Sequence, residues 1–193
     1  MSVIVGADGR ARCAWAGSAP EYLGYHDEEW GTVLHGDQHL FERMSLEGFQ
    51  AGLSWITILR RRETFRAAFA GFDIEKVAAF DAADVARLMA DPGIIRNAAK
   101  VDATISNARV ARDLVRERPG ALDALLWGFA PAPRATAPTA GGIPATTPES
   151  VAASKALKKA GFRFVGPTTV YALMQATGMV DDHEAGCWRA IGA

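Results

Sequence analysis

The sequence predicts an all-α protein folded as one domain. Apolar residues recur at three- and four-residue spacing along almost the whole chain, the period of a helix with one buried face. No stretch alternates apolar and polar residues strongly enough to read as a strand. A length of 193 residues supports one sizeable core and would leave a second one cramped.

The elements follow in order. Asp37 is expected to cap a helix carrying Leu40, Phe41 and Met44, and Ser54 to cap one running through Trp55, Ile58, Leu59, Phe65 and Phe69. Asp73 and Asp81 read as caps of two short helices. A longer helix from about Ile94 to Glu117 keeps Ala98, Val101, Ile105 and Ala108 on one face, and a short one covers Ala121 to Phe129. Residues 130–147 break the pattern with Pro131, Pro133, Pro138, Gly141, Gly142 and Pro144, so they read as a surface loop. It is a connection within residues 1–193 and not a domain boundary, because the residues beyond it answer residues near the N-terminus. Thr147, Pro148 and Glu149 supply the N-cap and first turn of a helix that reaches Ala160 and stops at Gly161. After the turn from Gly161 to Gly166, Pro167 opens a last apolar helix through Tyr171 and Met174 to about Thr177.

Composition excludes several classes. A net charge of −1 argues against a generally basic nucleic-acid binder, so any phosphate must be met by local patches. No apolar run approaches the roughly 20 residues of a membrane span, and Val3-Ile-Val5 is too short for a signal-peptide core, which points to the cytoplasm. Two cysteines are too few for a secreted disulfide scaffold or a four-cysteine iron–sulfur cluster. A single end-to-end disulfide is the remaining pairing, disfavoured in a reducing compartment.

Those two cysteines matter for another reason. His183 and Cys187 stand four residues apart, on one helical turn, and Cys13 and His26 supply the same two ligand types near the other terminus. Together they would make a Cys₂His₂ set for one zinc ion. A closed set of this kind is structural, because catalytic zinc keeps a position open for water. The spacing from Cys13 to His26 is not the usual zinc-finger pattern, so spacing alone divides evenly between zinc and two small buried thiols beside two satisfied histidines. That each cysteine has a histidine within reach favours zinc, which would tie the ends of the chain together as a cross-link does. His35 and His39 lack a thiol or clustered carboxylate and read as solvated helix residues.

Lys155, Lys158, Lys159 and Arg163 form a local basic run without an acid, which suits either phosphate contact or a solvated helix face. The turns at residues 92–96 and from Gly161 to Thr168 each lead into a helix N-terminus able to hold a phosphate, and Arg60, Arg61 and Arg62 are further candidates.

Seven segments carry a resemblance to a known family. They are Arg12-Cys-Ala-Trp15, Tyr25-His-Asp-Glu-Glu-Trp-Gly31, Leu46-Glu-Gly-Phe-Gln-Ala-Gly-Leu-Ser-Trp-Ile56, Gly93-Ile-Ile-Arg-Asn97, Ser154-Lys-Ala-Leu-Lys-Lys159, Gly161-Phe-Arg-Phe-Val-Gly166 and Val180-Asp-Asp-His183. With Cys187, they resemble the DNA-3-methyladenine glycosylase I family of the helix-hairpin-helix glycosylase superfamily. The N-terminal extension, residues 1–11, and the composition of the proline-rich loop lie outside the resemblance. It implies a helical glycosylase domain with one structural zinc on Cys13, His26, His183 and Cys187, joining the two termini. It puts Glu47 where a carboxylate reads the damaged base, Tyr25 and Trp55 where rings stack on it, and Trp15, Tyr22 and Trp30 in the pocket wall. Leu53 falls in a loop set against the gap left in the duplex, and Gly161, Gly166 and Thr168 fall in the superfamily's hairpin. Asp181 falls where other superfamily members use an aspartate on the sugar or water, although many relatives in this family carry Asn there. It has two readings: it assists catalysis, or it caps a turn and orients His183.

The implied chemistry suits these residues. A duplex hides the glycosidic bond, so the nucleotide must rotate outward into a pocket, which the weakened pairing of a lesion makes easier. Methylation at N3 makes adenine cationic, and a desolvated cation over Trp or Tyr gains up to about 2 kcal/mol. Glu47 adds charge attraction and accepts from the exocyclic amine. The charged base leaves readily, so little general-acid help is needed. The expectation is a monomeric, monofunctional enzyme that hydrolyses the N-glycosidic bond of 3-methyladenine in alkylated double-stranded DNA, releasing the free base without an obligate protein partner or membrane. No lysine lies in the pocket motifs to form a Schiff base. The rival is a catalytically inactive zinc-stapled DNA-binding domain of the same fold.

Overall fold

The computed structural model describes residues 3–139 and 141–192. Ten helices, α1 to α10, are described among these residues, with one small sheet that the sequence pattern did not signal. Strands β1 (Val3–Val5) and β2 (Ala11–Cys13) pair antiparallel, Val3 opposite Cys13 and Val5 opposite Ala11. Three residues per strand are too few for alternation to register. The hairpin is held by Arg12, which is 5% exposed and reaches Asp8 at 2.6 Å and Asp27 at 2.7 Å.

After α1 (Pro20–Gly24) the backbone widens over Tyr25–Glu29, where the Trp30 N–H bonds the Tyr25 carbonyl five residues back at 2.8 Å. Such π-type turns rotate successive side chains out of α-helical register. Helix α2 (Asp37–Gln50) buries Leu40, Phe41, Met44 and Phe49, and packs against α7 (Ala98–Glu117), α8 (Ala121–Trp127) and α10 (Pro167–Ala176). Phe41, Phe49, Phe65, Phe69 and Phe72 are all fully buried, and the Phe49 ring lies 4.6 Å from Phe65 and 5.7 Å from Phe69. Each is worth about 1.5–3 kcal/mol by burial alone. This aromatic cluster fixes α2 relative to α3 (Trp55–Leu59) and α4 (Arg62–Ala68).

Several local expectations change in the fold. Asp37 is the first residue of α2 and does not cap it; its carboxylate accepts from the N–H groups of Gly120 at 2.7 Å and Asp123 at 2.9 Å, capping α8 from a distant part of the chain. The helix after Ser54 breaks at Arg60 and Arg61, and the Ser54 hydroxyl meets the Thr57 hydroxyl instead of a backbone N–H. Asn97 caps α7, so Gly93 to Arg96 form a turn, Ile94 is buried from that turn, and Ala98 is exposed. Asp73 caps α5 (Ile74–Ala78), and Asp81 forms a capping box with Asp84 at α6 (Ala82–Ala90). Thr147 and Ser150 do the same at α9 (Pro148–Ala160), which ends at Gly161 in the left-handed region. His35 lies in the loop before α2, stacked on Trp127 at 4.3 Å and bonded to Asp123, while His39 is exposed on α2. His183 to Cys187 form a non-helical turn, with the Cys187 N–H on the Glu184 carbonyl at 2.9 Å.

Candidate active site

The six side chains named for the base pocket line one cavity of about 400 Å³: Trp15, Tyr22, Tyr25, Trp30, Glu47 and Trp55. They arrive from five segments. Trp15 comes from the turn after β2, Tyr22 from α1, Tyr25 and Trp30 from the π-type turn and its end, and Glu47 and Trp55 from α2 and α3. Tyr25 and Trp55 stand 5.5 Å apart, tilted by 42°, and Trp15 packs edge-on against Tyr22 at 5.4 Å and Trp30 at 5.1 Å.

Glu47 sits on the inner face of α2, 4% exposed, and its carboxyl makes no hydrogen bond among the described residues. Burial pushes its pKa from 4.5 up to about 8, against a smaller pull from Arg43. Arg43 is itself committed to Glu29 at 2.6 Å, as is Arg62 at 2.8 Å. Burial opposes ionisation of Glu29, yet these two guanidinium groups hold its pKa at about 2. The phenol of Tyr25 is pushed well above its usual range by burial and then by Glu47. The indole N–H of Trp55 is buried without a partner. No lysine or arginine lines the cavity. A mostly apolar, aromatic space with one buried, unpaired carboxyl disfavours a bare negative charge and favours a cationic guest.

Behind the aromatic wall lies a second cluster. The ligand atoms of Cys13, His26 and Cys187 lie within 4.8 Å of one another, with the Cys187 Sγ 3.4 Å from the His26 Nε2. The His183 ring stands edge-on to His26 at 5.1 Å, and all four residues are buried. Both histidines turn Nδ1 to a carboxylate, His26 to Asp27 at 2.8 Å and His183 to Asp181 at 2.7 Å. That leaves the His26 Nε2 beside the Cys187 thiol, while the Nε2 of His183, outside the 4.8 Å group, is buried with no partner among the described residues. Two thiols and the His26 imidazole, with an orphaned nitrogen on the His183 ring packed against it, fit a borderline-soft ion such as zinc. Burial pushes the Cys13 thiol up to about 12. Gly31 is required here: its φ is +74°, and a Cβ would lie 2.6 Å from the His183 ring. Trp15 packs on His26 at 5.2 Å and Trp30 on His183 at 4.7 Å, so cluster and cavity share a wall.

The sequence pattern of the methyladenine glycosylase family matches residues 15–190. The chain belongs to this family. It is similar to DNA-3-methyladenine glycosylase 1 of Escherichia coli (strain K12), with 48% identity over 91% of this chain and 95% of that one. Among solved structures it is similar to a 3-methyladenine DNA glycosylase I at a TM-score of 0.87 and 45% identity, covering 92% of this chain and 98% of that one. It is also similar to the Staphylococcus aureus 3-methyladenine DNA glycosylase I described for its recognition of 3-methyladenine, at a TM-score of 0.85 and 34% identity, covering 91% and 94%.

Other named residues of this glycosylase-family chain fall outside the cavity. Asp181 does not line it; its Oδ1 accepts from the His183 backbone N–H at 3.0 Å as well as from the ring. Leu53 is 38% exposed at the tip of the turn between α2 and α3, after Gly52 at φ +81°. Lys155, Lys158, Lys159 and Arg163 are exposed and make no ion pair among the described residues, and Thr168 is exposed in the first turn of α10. The Gly161–Gly166 turn is held by Asn107, which bonds both backbone groups of Arg163, and by Ser154 on the Val165 carbonyl at 2.6 Å. The three consecutive arginines are engaged internally: Arg60 with Glu21, Arg61 with the Pro92 carbonyl, and Arg62 with Glu29.

Sequence reasoning missed Gln50 and Gln175, which also line the cavity, and Asp182, which is fully buried. A glutamine on a helix carries no spacing signal, and Asp182 was overshadowed by its neighbour Asp181.

Proposed function

We propose that this chain removes 3-methyladenine from alkylated double-stranded DNA by hydrolysing the N-glycosidic bond, leaving an abasic site. The observation that carries the reading is the unpaired, buried Glu47 carboxyl facing Tyr25 and Trp55 in a cavity without a cationic side chain. A base carrying positive charge gains from the ring faces and favours loss of the Glu47 proton, whose carboxylate then attracts it, whereas unmodified adenine gains from neither charge. Trp15, Tyr22 and Trp30 form the wall that excludes water. Differential binding of the extruded, electron-poor base then supplies much of the catalysis, since the leaving group already bears the charge that protonation would otherwise provide.

DNA engagement is assigned to Leu53, which fills the vacancy left by the rotated nucleotide, and to the helix-hairpin-helix formed by α9, the Gly161–Gly166 turn and α10. The free N–H groups at the start of α10 hold a phosphate, with Thr168 beside them and Lys155, Lys159 and Arg163 adding local positive charge. One structural zinc on Cys13, His26, His183 and Cys187 would pin the first and last segments of the domain together and so brace Trp15 and Trp30. Asp181 and Asp27 orient its histidines, which gives Asp181 a positioning role in place of the catalytic one. The absence of lysine from the cavity wall favours a monofunctional enzyme, and nothing in the reaction calls for a second subunit. Among the described residues no helix is long and apolar enough to cross a membrane.

Incubating the protein with methylated duplex DNA and separating the released purines by chromatography tests the proposal. Free 3-methyladenine and intact, alkali-labile strands are the expected products. Folded protein that binds the DNA but releases no base would support the catalytically inactive alternative, and nicking without added alkali would overturn the monofunctional assignment.

A further inference from the structure

Asp182 is fully buried, and its carboxylate gathers three partners from two parts of the chain. On Oδ2 it accepts from the Tyr171 hydroxyl at 2.6 Å and from the Gln175 Nε2 at 2.8 Å; Oδ1 pairs with the Arg134 guanidinium at 3.0 Å by charge alone, with no hydrogen bond among the described residues. Tyr171 and Gln175 stand four residues apart on α10 and so share one face. Arg134 comes from the proline-rich connection, whose Ile143 also lines the cavity. A carboxylate paired with a guanidinium and a phenol can only accept. The amide of Gln175 must therefore turn its nitrogen to Asp182, since the reverse would set two oxygens against each other. Its oxygen is the end left over, on a half-buried side chain that lines the cavity and whose one hydrogen bond among the described residues is made through Nε2.

We infer that Asp182 is a positioning residue that presents the Gln175 carbonyl oxygen to the cavity as a second acceptor for the exocyclic amine of the bound base. The inference rests on the glycosylase reading. An exocyclic amine carries two hydrogens, so one acceptor, Glu47, leaves one of them unmet in a dry site, where an unmet donor is costly. Gln175 meets it. A base with oxygen in place of that amine then faces a fixed acceptor and is rejected, which makes Gln175 a determinant of adenine over oxo-purines.

The test compares affinities for free 3-methyladenine and 3-methylhypoxanthine by quenching of the cavity tryptophans. Gln175→Leu should weaken 3-methyladenine binding about tenfold, the scale of one hydrogen bond in a desolvated site, and leave 3-methylhypoxanthine binding unchanged or tighter. Asp182→Asn, whose own amide lets Gln175 adopt either orientation, should shift the same ratio in the same direction by less. A merely structural role would lower both affinities together. An unchanged ratio in folded Gln175→Leu overturns the inference, and an unchanged ratio in Asp182→Asn overturns the positioning part. Failure of the unsubstituted protein to bind 3-methyladenine overturns the glycosylase reading and this inference with it; the first two results leave that reading standing.

Discussion

Substituting Glu47 by Gln separates two consequences of a carboxyl held in a dry cavity. Its pKa is 4.5 in the unfolded chain and about 8 in the folded one, so the native state holds a proton that the unfolded state has lost. The sign is that of a raised folded pKa: the group's contribution to stability is fully present below pH 4.5, falls as pH rises, and levels off above pH 8. At pH 7, 2.5 units above the unfolded value and still below the folded one, the loss is about 3 kcal/mol, from 1.36 kcal/mol per unit. Gln does not titrate. Relative to the unsubstituted protein, Glu47→Gln should therefore gain about 3 kcal/mol between pH 4 and pH 7, roughly 6–12 °C in Tm for a domain of this size. Over the same range it should lose affinity for a cationic base, because the ionisable partner is gone. Thermal melts of both proteins across pH 4 to 9, followed by circular dichroism, read the first effect, and fluorescence titration with 3-methyladenine reads the second. Melting curves that shift in parallel with pH would show that the carboxyl is solvated or paired, and the electrostatic account of the cavity would fail with it.

Three further outcomes are expected. Purified protein should carry one zinc per chain by atomic emission, and Cys13→Ser or chelation should remove it and lower Tm by several degrees; a metal-free protein of unchanged stability would leave the cluster without its ion. Asp181→Asn keeps an oxygen for His183 and should change base release by less than a factor of about five, equivalent to about 1 kcal/mol; a loss of several hundredfold in chromatographic release assays would return Asp181 to the catalytic centre. Lys100, 8% exposed, holds the carbonyls of Phe49 at 2.7 Å and Ala51 at 2.6 Å beneath the Leu53 turn. Lys100→Met should cost about 1–3 kcal/mol in urea denaturation by orphaning those carbonyls. It should also lower excision from duplex DNA more than affinity for free base; equal losses in both would disconnect the turn from DNA binding.

Much of the helical framework is written locally. The caps at Asp73, Asp81 and Thr147 and the stop at Gly161 depend on residues within four positions of one another, and all act as the sequence reads. Asp37 shows the limit, because the N–H groups it serves belong to α8, more than 80 residues away. The β1–β2 hairpin and the break at Arg60–Arg61 escape for related reasons. Two three-residue strands have no measurable period, and the arginine run ends a helix through partners on Glu21, Pro92 and Glu29 that no local window contains.

The same division runs through the site. By itself the sequence determined the helical class and the residue types available for chemistry: two thiols with two imidazoles, and an acid set among tryptophans and tyrosines. Their chemical character is a property of each side chain. What only the tertiary structure decided was environment: that Glu47 is buried and unpaired, that Asp181 turns to His183 while Asp182 turns to Gln175, and that the thiol–imidazole cluster shares a wall with the cavity. Desolvation and hydrogen-bond direction are set by whatever surrounds a group in three dimensions, and adjacent aspartates with identical chemistry acquire different roles only there.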